Sequence, residues 1–327
     1  MGWPALDLPP PIRPDFTARV DLTKVNNASL NLLGNIANGT CPATDTTCYW
    51  PCSKCTRPAD IFYCPTVGDW GLTFDDAQNL KITFFVVGSR IVSNNAILLR
   101  AFQEGHQIGV HSWSHSYLTT QSTEQVIAEL EWTSEIIKNV TGVRPLYMRP
   151  PFGDYDDRIR DICAQLGYKI VIWDKDSSDW HYNDTGFQSS WISSNFSSWM
   201  NETSTTGHIS LEHDLYQVTA AQAPQVVDIL VKAKRIIRPV ADCLGYPGLY
   251  YNESKPLTTT TISPSQPVPT KASIPSAKSI PSTTTSSSSS SNSPNSIKSS
   301  ASLSIDYFNS WLFICISFFL LFGLNNF

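Results

Sequence analysis

The chain has 327 residues, 41% of them hydrophobic, and a formal charge of −5. That length supports one sizeable core plus tails. No basic run or arginine-rich patch is present, which excludes a nucleic-acid-binding surface, and the acidity is too slight to name a charged partner.

Residues 1–60 are rich in Pro, Asn, Thr and Cys and read as an irregular, cross-linked arm. Met1-Gly-Trp-Pro-Ala-Leu lacks the charged and apolar regions of a signal peptide, and Leu6 stands where myristoylation needs Ser or Thr. Five of the eight cysteines fall between Cys41 and Cys64. The run Cys48-x3-Cys52-x2-Cys55 admits a zinc-finger or a disulfide reading, and a secreted context favours disulfides. One bridge is expected to tie the arm to the end of the core, near Cys163 or Cys243, with the pairings open.

From about 61 to 247 strands alternate with helices. Expected strands are 71–74, 82–87, 107–110, 146–149, 169–173 and 208–211. Amphipathic helices are expected over 91–104, 123–140, 156–166 and 221–238. The second helix is the clearest, with Val126, Ile127, Leu130, Ile136 and Ile137 on one face and Ser122 as N-cap. Such alternation implies an α/β fold with a mostly parallel sheet, doubly wound or closed into a barrel.

Residues 256–304 are almost wholly Ser, Thr, Pro and Lys, a composition that cannot bury a core and reads as a disordered, O-glycosylated stalk. In 305–327, the apolar run Trp311–Leu324 is short for a membrane span. It follows the small residues Ser299, Ser300, Ala301 and Ser302 across a polar spacer, the pattern of a GPI-attachment propeptide. Asn27, Asn38, Asn139, Asn183, Asn195, Asn201 and Asn252 each begin an Asn-x-Ser/Thr sequon. These features lead us to expect a cell-surface glycoprotein, attached to the membrane through a GPI lipid alone. The true start is then expected upstream of Met1. A monomer is expected.

Polar clusters sit at the ends of the expected strands, where parallel α/β sheets place their active sites. Asp75-Asp76 ends the first strand. His111 and His115, read as sharing one face of a helical turn, follow the third. Arg149 follows the fourth, Asp174, Asp176, Asp179 and Trp180 the fifth, and His213 the sixth. Two histidines with a nearby carboxylate make a three-ligand set with an open position, the pattern of a catalytic zinc site.

Thr73-Phe-Asp-Asp76, His111-Ser-Trp-Ser-His115, Arg149-Pro-Pro-Phe-Gly153, Asp176-Ser-Ser-Asp-Trp180 and Leu211-Glu-His213 resemble, in order, the five motifs of the polysaccharide deacetylases, carbohydrate esterase family 4. The flanks, such as Ile209-Ser-Leu-Glu-His-Asp-Leu215, most resemble fungal chitin deacetylases. The resemblance covers about 60–247 and implies a distorted (β/α) barrel acting on chitin or another N-acetylglucosamine polymer. It implies that Asp76, His111 and His115 hold a divalent metal, zinc with cobalt as the alternative, and that Asp75 is the general base. Arg149 would orient Asp75, and the Phe152 backbone N–H would hold the oxyanion. His213, tuned by Asp179, would protonate the leaving amine, while Trp180 and Leu211 would wall the acetyl pocket. Phe152 stands where the family usually has Tyr.

The chain departs from the family at one place. Only Ala77-Gln-Asn-Leu80 separates Asp76 from the strand at Lys81, where the family has Gly-Pro and then a helix. Four residues span at most ~14 Å, too little to retrace a ~17 Å strand and cross to the next. A barrel lacking its first helix is therefore expected, whether through a mis-joined coding sequence or a genuine isoform. A chain so shortened is expected to bind metal poorly and to turn over little substrate. A catalytically impaired, GPI-anchored wall glycoprotein is the alternative to an active chitin deacetylase.

Overall fold

In the computed structural model, residues 2–73, 80–246 and 248–251 are described. All belong to one compact unit spanning Met1–Thr261. Among the described residues, eight strands form two four-stranded sheets. Strands β1 (Asp69–Gly71), β2 (Thr83–Val86), β3 (Gln107–Val110), β4 (Tyr147–Met148) and β5 (Lys169–Ile170) are followed by β6 (Lys175–Asp176), β7 (His208–Leu211) and β8 (Ile236–Arg238). The sheet orders are β2-β3-β4-β5 and β6-β7-β1-β8. Every pairing between these strands is parallel. The sheets meet where Thr83 N–H donates to Leu72 O (3.2 Å). The expected α/β barrel is thus present in distorted form.

Helices α1 (Gly88–Gln103), α2 (Thr123–Thr141), α3 (Asp157–Leu166), α4 (Ser190–Trp199) and α5 (Ala223–Lys232) surround the sheets. In α2, Ser122 Oγ accepts the Gln125 N–H (3.2 Å) and Gly142 closes the helix at φ 81°. Its apolar face, including Ile127, Leu130 and Ile137, is fully buried, worth up to about 1.5–3 kcal/mol per large side chain. Helix α1 is kinked at Asn94, whose φ is −126°.

The structure corrects two expected elements. The helix expected over 221–238 ends at Lys232, and Ile236–Arg238 instead forms β8 beside β1. The strand expected over 169–173 pairs regularly only at Lys169 and Ile170. Val171 then bridges to Ile61. Helix α4 and strand β6 were not expected: a Ser-rich helix and a two-residue strand both carry weak periodicity.

The amino-terminal arm holds short helical turns at Pro14–Thr17, Leu33–Ala37 and Trp50–Ser53. It is packed down rather than loose, with Phe16, Val20 and Trp50 in the core. Disulfides join Cys41–Cys52, Cys48–Cys55 and Cys64–Cys243. The last ties the end of the arm to the end of the core, as expected, and Cys163 is buried as a free thiol. Among the described residues no helix is long and apolar enough to cross a membrane. The stalk and apolar tail lie outside the described residues, as do Asp75 and Asp76.

Candidate active site

His111 and His115 follow β3, but on a non-helical turn, which corrects the helical reading. Ser112 and His115 adopt left-handed backbone at φ 58° and 56°. The turn brings the two imidazoles together edge to face, their ring centres 4.9 Å apart. His111 Nδ1 faces the Arg149 carbonyl oxygen at 2.8 Å. Donation there places the proton on Nδ1 and leaves the Nε2 lone pair for a cation. Burial holds His111 well below the usual histidine range, with His115 adding to the effect. Burial, then the charge of His213, pushes His115 down to about 4. Both rings are therefore neutral near pH 7, the state a metal ligand needs.

Among the described residues no three His, Cys, Asp or Glu side chains converge as a metal set. The two imidazoles supply two neutral ligands, His111 with its tautomer set by the Arg149 carbonyl. The third expected ligand, Asp76, lies outside the described residues.

Arg149 leaves β4 and is buried. Its guanidinium donates to Thr73 Oγ1 (3.1 Å) and lies over the Phe85 ring, 4.4 Å from the centroid. Burial pushes its pKa down to about 9, against the opposing influence of Glu212 and Asp176, so it remains charged at neutral pH. Its expected partner Asp75 lies outside the described residues. Thr73, the last described residue before that pair, is anchored by Arg149 and by its own hydroxyl donating to Ser210 O (2.9 Å).

Phe152 lies in the turn Pro151–Gly153 at φ 59°. Gly153 N–H goes to Pro150 O and Asp154 N–H to Pro151 O. Among the described residues no acceptor takes the Phe152 N–H. The Phe152 ring is 49% exposed and packs against His115 (4.6 Å between centroids) and Tyr117 (4.1 Å). The turn therefore stands directly beside the histidines.

Asp179 and His213 leave β6 and β7 and meet at the same edge. Asp179 Oδ1 lies 2.7 Å from His213 Nδ1, and Asp179 Oδ2 accepts the His213 N–H at 2.5 Å. Trp180 is 52% exposed, and its Nε1–H donates to Asp176 Oδ1 (3.2 Å). Leu211, by contrast, is buried. Ser178 preceding Asp179 is also left-handed, at φ 59°. Four such non-glycine residues, Ser112, His115, Phe152 and Ser178, fall in the loops after β3, β4 and β6. Each costs of order 1–3 kcal/mol, and strain of this kind gathers where function over-determines the backbone.

Sequence reasoning missed two supporting carboxylates. Glu129, on α2, accepts the Trp113 and Ser114 N–H groups, both at 2.8 Å. Asp154 accepts the Thr119 N–H (2.8 Å) and the Tyr49 hydroxyl (2.9 Å), tying the Phe152 turn to the loop after His115. Asp154 lies next to a recognised motif and could have been suspected. Glu129 sits on an apolar helix face, and only its placement at a buried position marked it.

Fold and site together define a parallel α/β barrel protein with a histidine centre at the carboxyl ends of its strands. The polysaccharide deacetylase family matches residues 64–171. Chitin deacetylase 1 of Cryptococcus neoformans var. grubii is 36% identical over 296 residues, 80% of this chain and 63% of that protein. Chitin deacetylase 2 of Saccharomyces cerevisiae is 33% identical over 260 residues, covering 74% and 77%. The chain thus spans less than two thirds of the Cryptococcus protein. The solved chitin deacetylase of Colletotrichum lindemuthianum superposes with a TM-score of 0.52 at 25% identity, covering 60% of this chain and 98% of that one. The chain belongs to the polysaccharide deacetylase family.

Proposed function

We propose that this chain hydrolyses the N-acetyl groups of N-acetylglucosamine residues in chitin, giving chitosan and acetate, as a metal-dependent cell-surface enzyme of wall formation. The observation that carries this reading is the gathering, at the carboxyl ends of the strands, of a tautomer-set His111, its neighbour His115 and an Asp179–His213 pair. The similarity to fungal chitin deacetylases favours chitin over other acetylated polymers.

His111 and His115, with Asp76, would hold the cation, which when bound supplies a Lewis acid and lowers the pKa of a water. Asp75 takes the proton of the attacking water, and Arg149 orients it. The Phe152 N–H, free of an acceptor among the described residues, receives the carbonyl oxygen as it gains charge. His213 delivers a proton to the amide nitrogen as the C–N bond breaks, its ring held by Asp179. Trp180 and Leu211 flank the acetyl methyl. Acetate release from chitin oligomers, compared with acetylated xylan, tests the substrate. Release from xylan alone would overturn the chitin assignment.

One observation favours a second reading, a catalytically impaired wall glycoprotein. Residues 72–82 are all that link β1 to β2, and the two sheets meet there through the Thr83–Leu72 bond. A parallel crossover ordinarily takes a dozen or more residues with a helix. The five motifs are complete, but the segment carrying Asp75 and Asp76 is short.

A further inference from the structure

The turn between the two histidines is gripped by a side chain from α2. Glu129 is fully buried. Its carboxylate accepts the Trp113 N–H (2.8 Å), the Ser114 N–H (2.8 Å) and the Ser114 hydroxyl (2.6 Å). Gln121 Nε2 approaches more weakly at 3.4 Å. The three close donors all belong to residues between the imidazoles. Both backbone N–H groups reach the same oxygen, Oε2, and the hydroxyl reaches Oε1. An amide would keep two uncharged, weaker bonds and turn its N–H toward the Ser114 hydroxyl, reversing that bond.

The other side of the turn is fixed as well. Trp113 Nε1–H donates to Ala5 O (3.0 Å), and the Trp113 ring packs against Trp3 and Trp132. Within the turn, His115 N–H donates to Ser112 Oγ (3.0 Å). A turn with two left-handed non-glycine residues persists only if its surroundings impose it. A buried carboxylate in turn is tolerated only when its oxygens are satisfied. Each therefore specifies the other.

We propose that Glu129 is a positioning residue that sets the separation and mutual angle of His111 and His115, and so the affinity of that pair for a divalent cation. Glu129 touches neither ring and acts through the Trp113–Ser114 backbone. The proposal rests on the metal reading above for its consequence, but not for its geometry.

Glu129→Gln in the full chain tests it, with two readouts. In chelator-treated protein, amide hydrogen exchange over Ser112–His115 is expected to quicken at least about tenfold while β3 and the rest of α2 keep their protection. Zinc affinity measured by calorimetry is expected to fall about 10–100-fold, the usual effect of losing an outer support, with the melting temperature little changed. Unchanged exchange overturns the proposal, and so does a loosened turn with unchanged zinc affinity. Should the wild-type chain take up no zinc, the metal reading fails, and the exchange result alone judges Glu129. If Glu129→Gln does not fold, Ser114→Ala, which deletes the 2.6 Å bond to Glu129 and the Ser114–Ser116 hydroxyl contact, must move both readouts in the same direction while Ser116→Ala, which deletes the second contact alone, leaves them unmoved, or the proposal falls.

Discussion

Asp179 holds His213 at two points, one oxygen at the ring nitrogen Nδ1 (2.7 Å) and the other at the backbone N–H (2.5 Å). The second contact fixes where the residue sits; the first fixes which ring nitrogen carries the proton. Asp179→Asn keeps the shape but puts an amide N–H against one of these donors. Acetate release by the metal-loaded chain is expected to fall about 10²–10⁴-fold, the usual worth of a positioned general acid. Zinc content should be unchanged, because neither residue is expected to hold the metal. A fall in zinc content would mean that the pair supports the metal instead.

Phe152 offers a contrast, because its expected contribution is a backbone N–H. Phe152→Tyr should leave kcat within a few-fold of the parent. Phe152→Val should lower stability by about 1–3 kcal/mol, since a β-branched side chain is strained at φ 59°. Thermal denaturation and steady-state rates separate the two effects. A large kcat loss in Phe152→Tyr would show that the ring, not the backbone, does the chemistry.

His115 makes stability depend on pH. Its folded pKa, about 4, lies below the ordinary 6.5, chiefly through burial. Between those values the unfolded chain binds more protons at this residue than the folded one. The folded state therefore loses stability at His115 as pH falls from 6.5 toward 4. His115→Gln removes that term, so in metal-free protein the variant should gain on the parent as the pH drops. Paired melting curves across pH 4–7 check this, and parallel curves would contradict it.

The Cys64–Cys243 bridge closes a sequence separation of 179 residues. Loop-entropy reasoning gives about 5 kcal/mol for such a loop, and measured losses of native bridges run about 2–5 kcal/mol. A Cys64→Ala/Cys243→Ala double variant should melt well below the parent. An unchanged melting temperature would mean that the packing of Val240 and Ala241 against Tyr147 and Ile209 suffices to hold the end of the core.

Much of this architecture was legible because the signals were strong. Helix α2 has a regular apolar face, an N-cap Ser122 and a closing Gly142, and its observed span matches the expectation almost to the residue. Strands β3 (Gln107–Val110) and β7 (His208–Leu211) came out as expected because each is a short β-branched or aliphatic stretch that ends at a polar cluster of the site. Position along the chain misled at His111–His115, where i,i+4 spacing suggested a helix. The actual turn is set by Glu129 from α2 and by Ala5 from the arm, contacts between residues far apart in sequence. Strand β8 was hidden for a related reason. Ile236–Arg238 continues the apolar rhythm of α5, and only pairing with β1 makes it a strand.

The central claim is that the loops bearing His111, Arg149 and His213 form one metal-hydrolase centre, held back by the short link after Asp76. It is tested most directly by acetate release from chitin oligomers, with and without chelator. The full chain should be measured beside a version carrying a family-type helix restored between Asp76 and Lys81. We predict slow, chelator-sensitive release from the chain and at least about tenfold faster release from the restored version, with zinc content rising in step. Chelator-insensitive release, or none from either folded protein, would contradict the account.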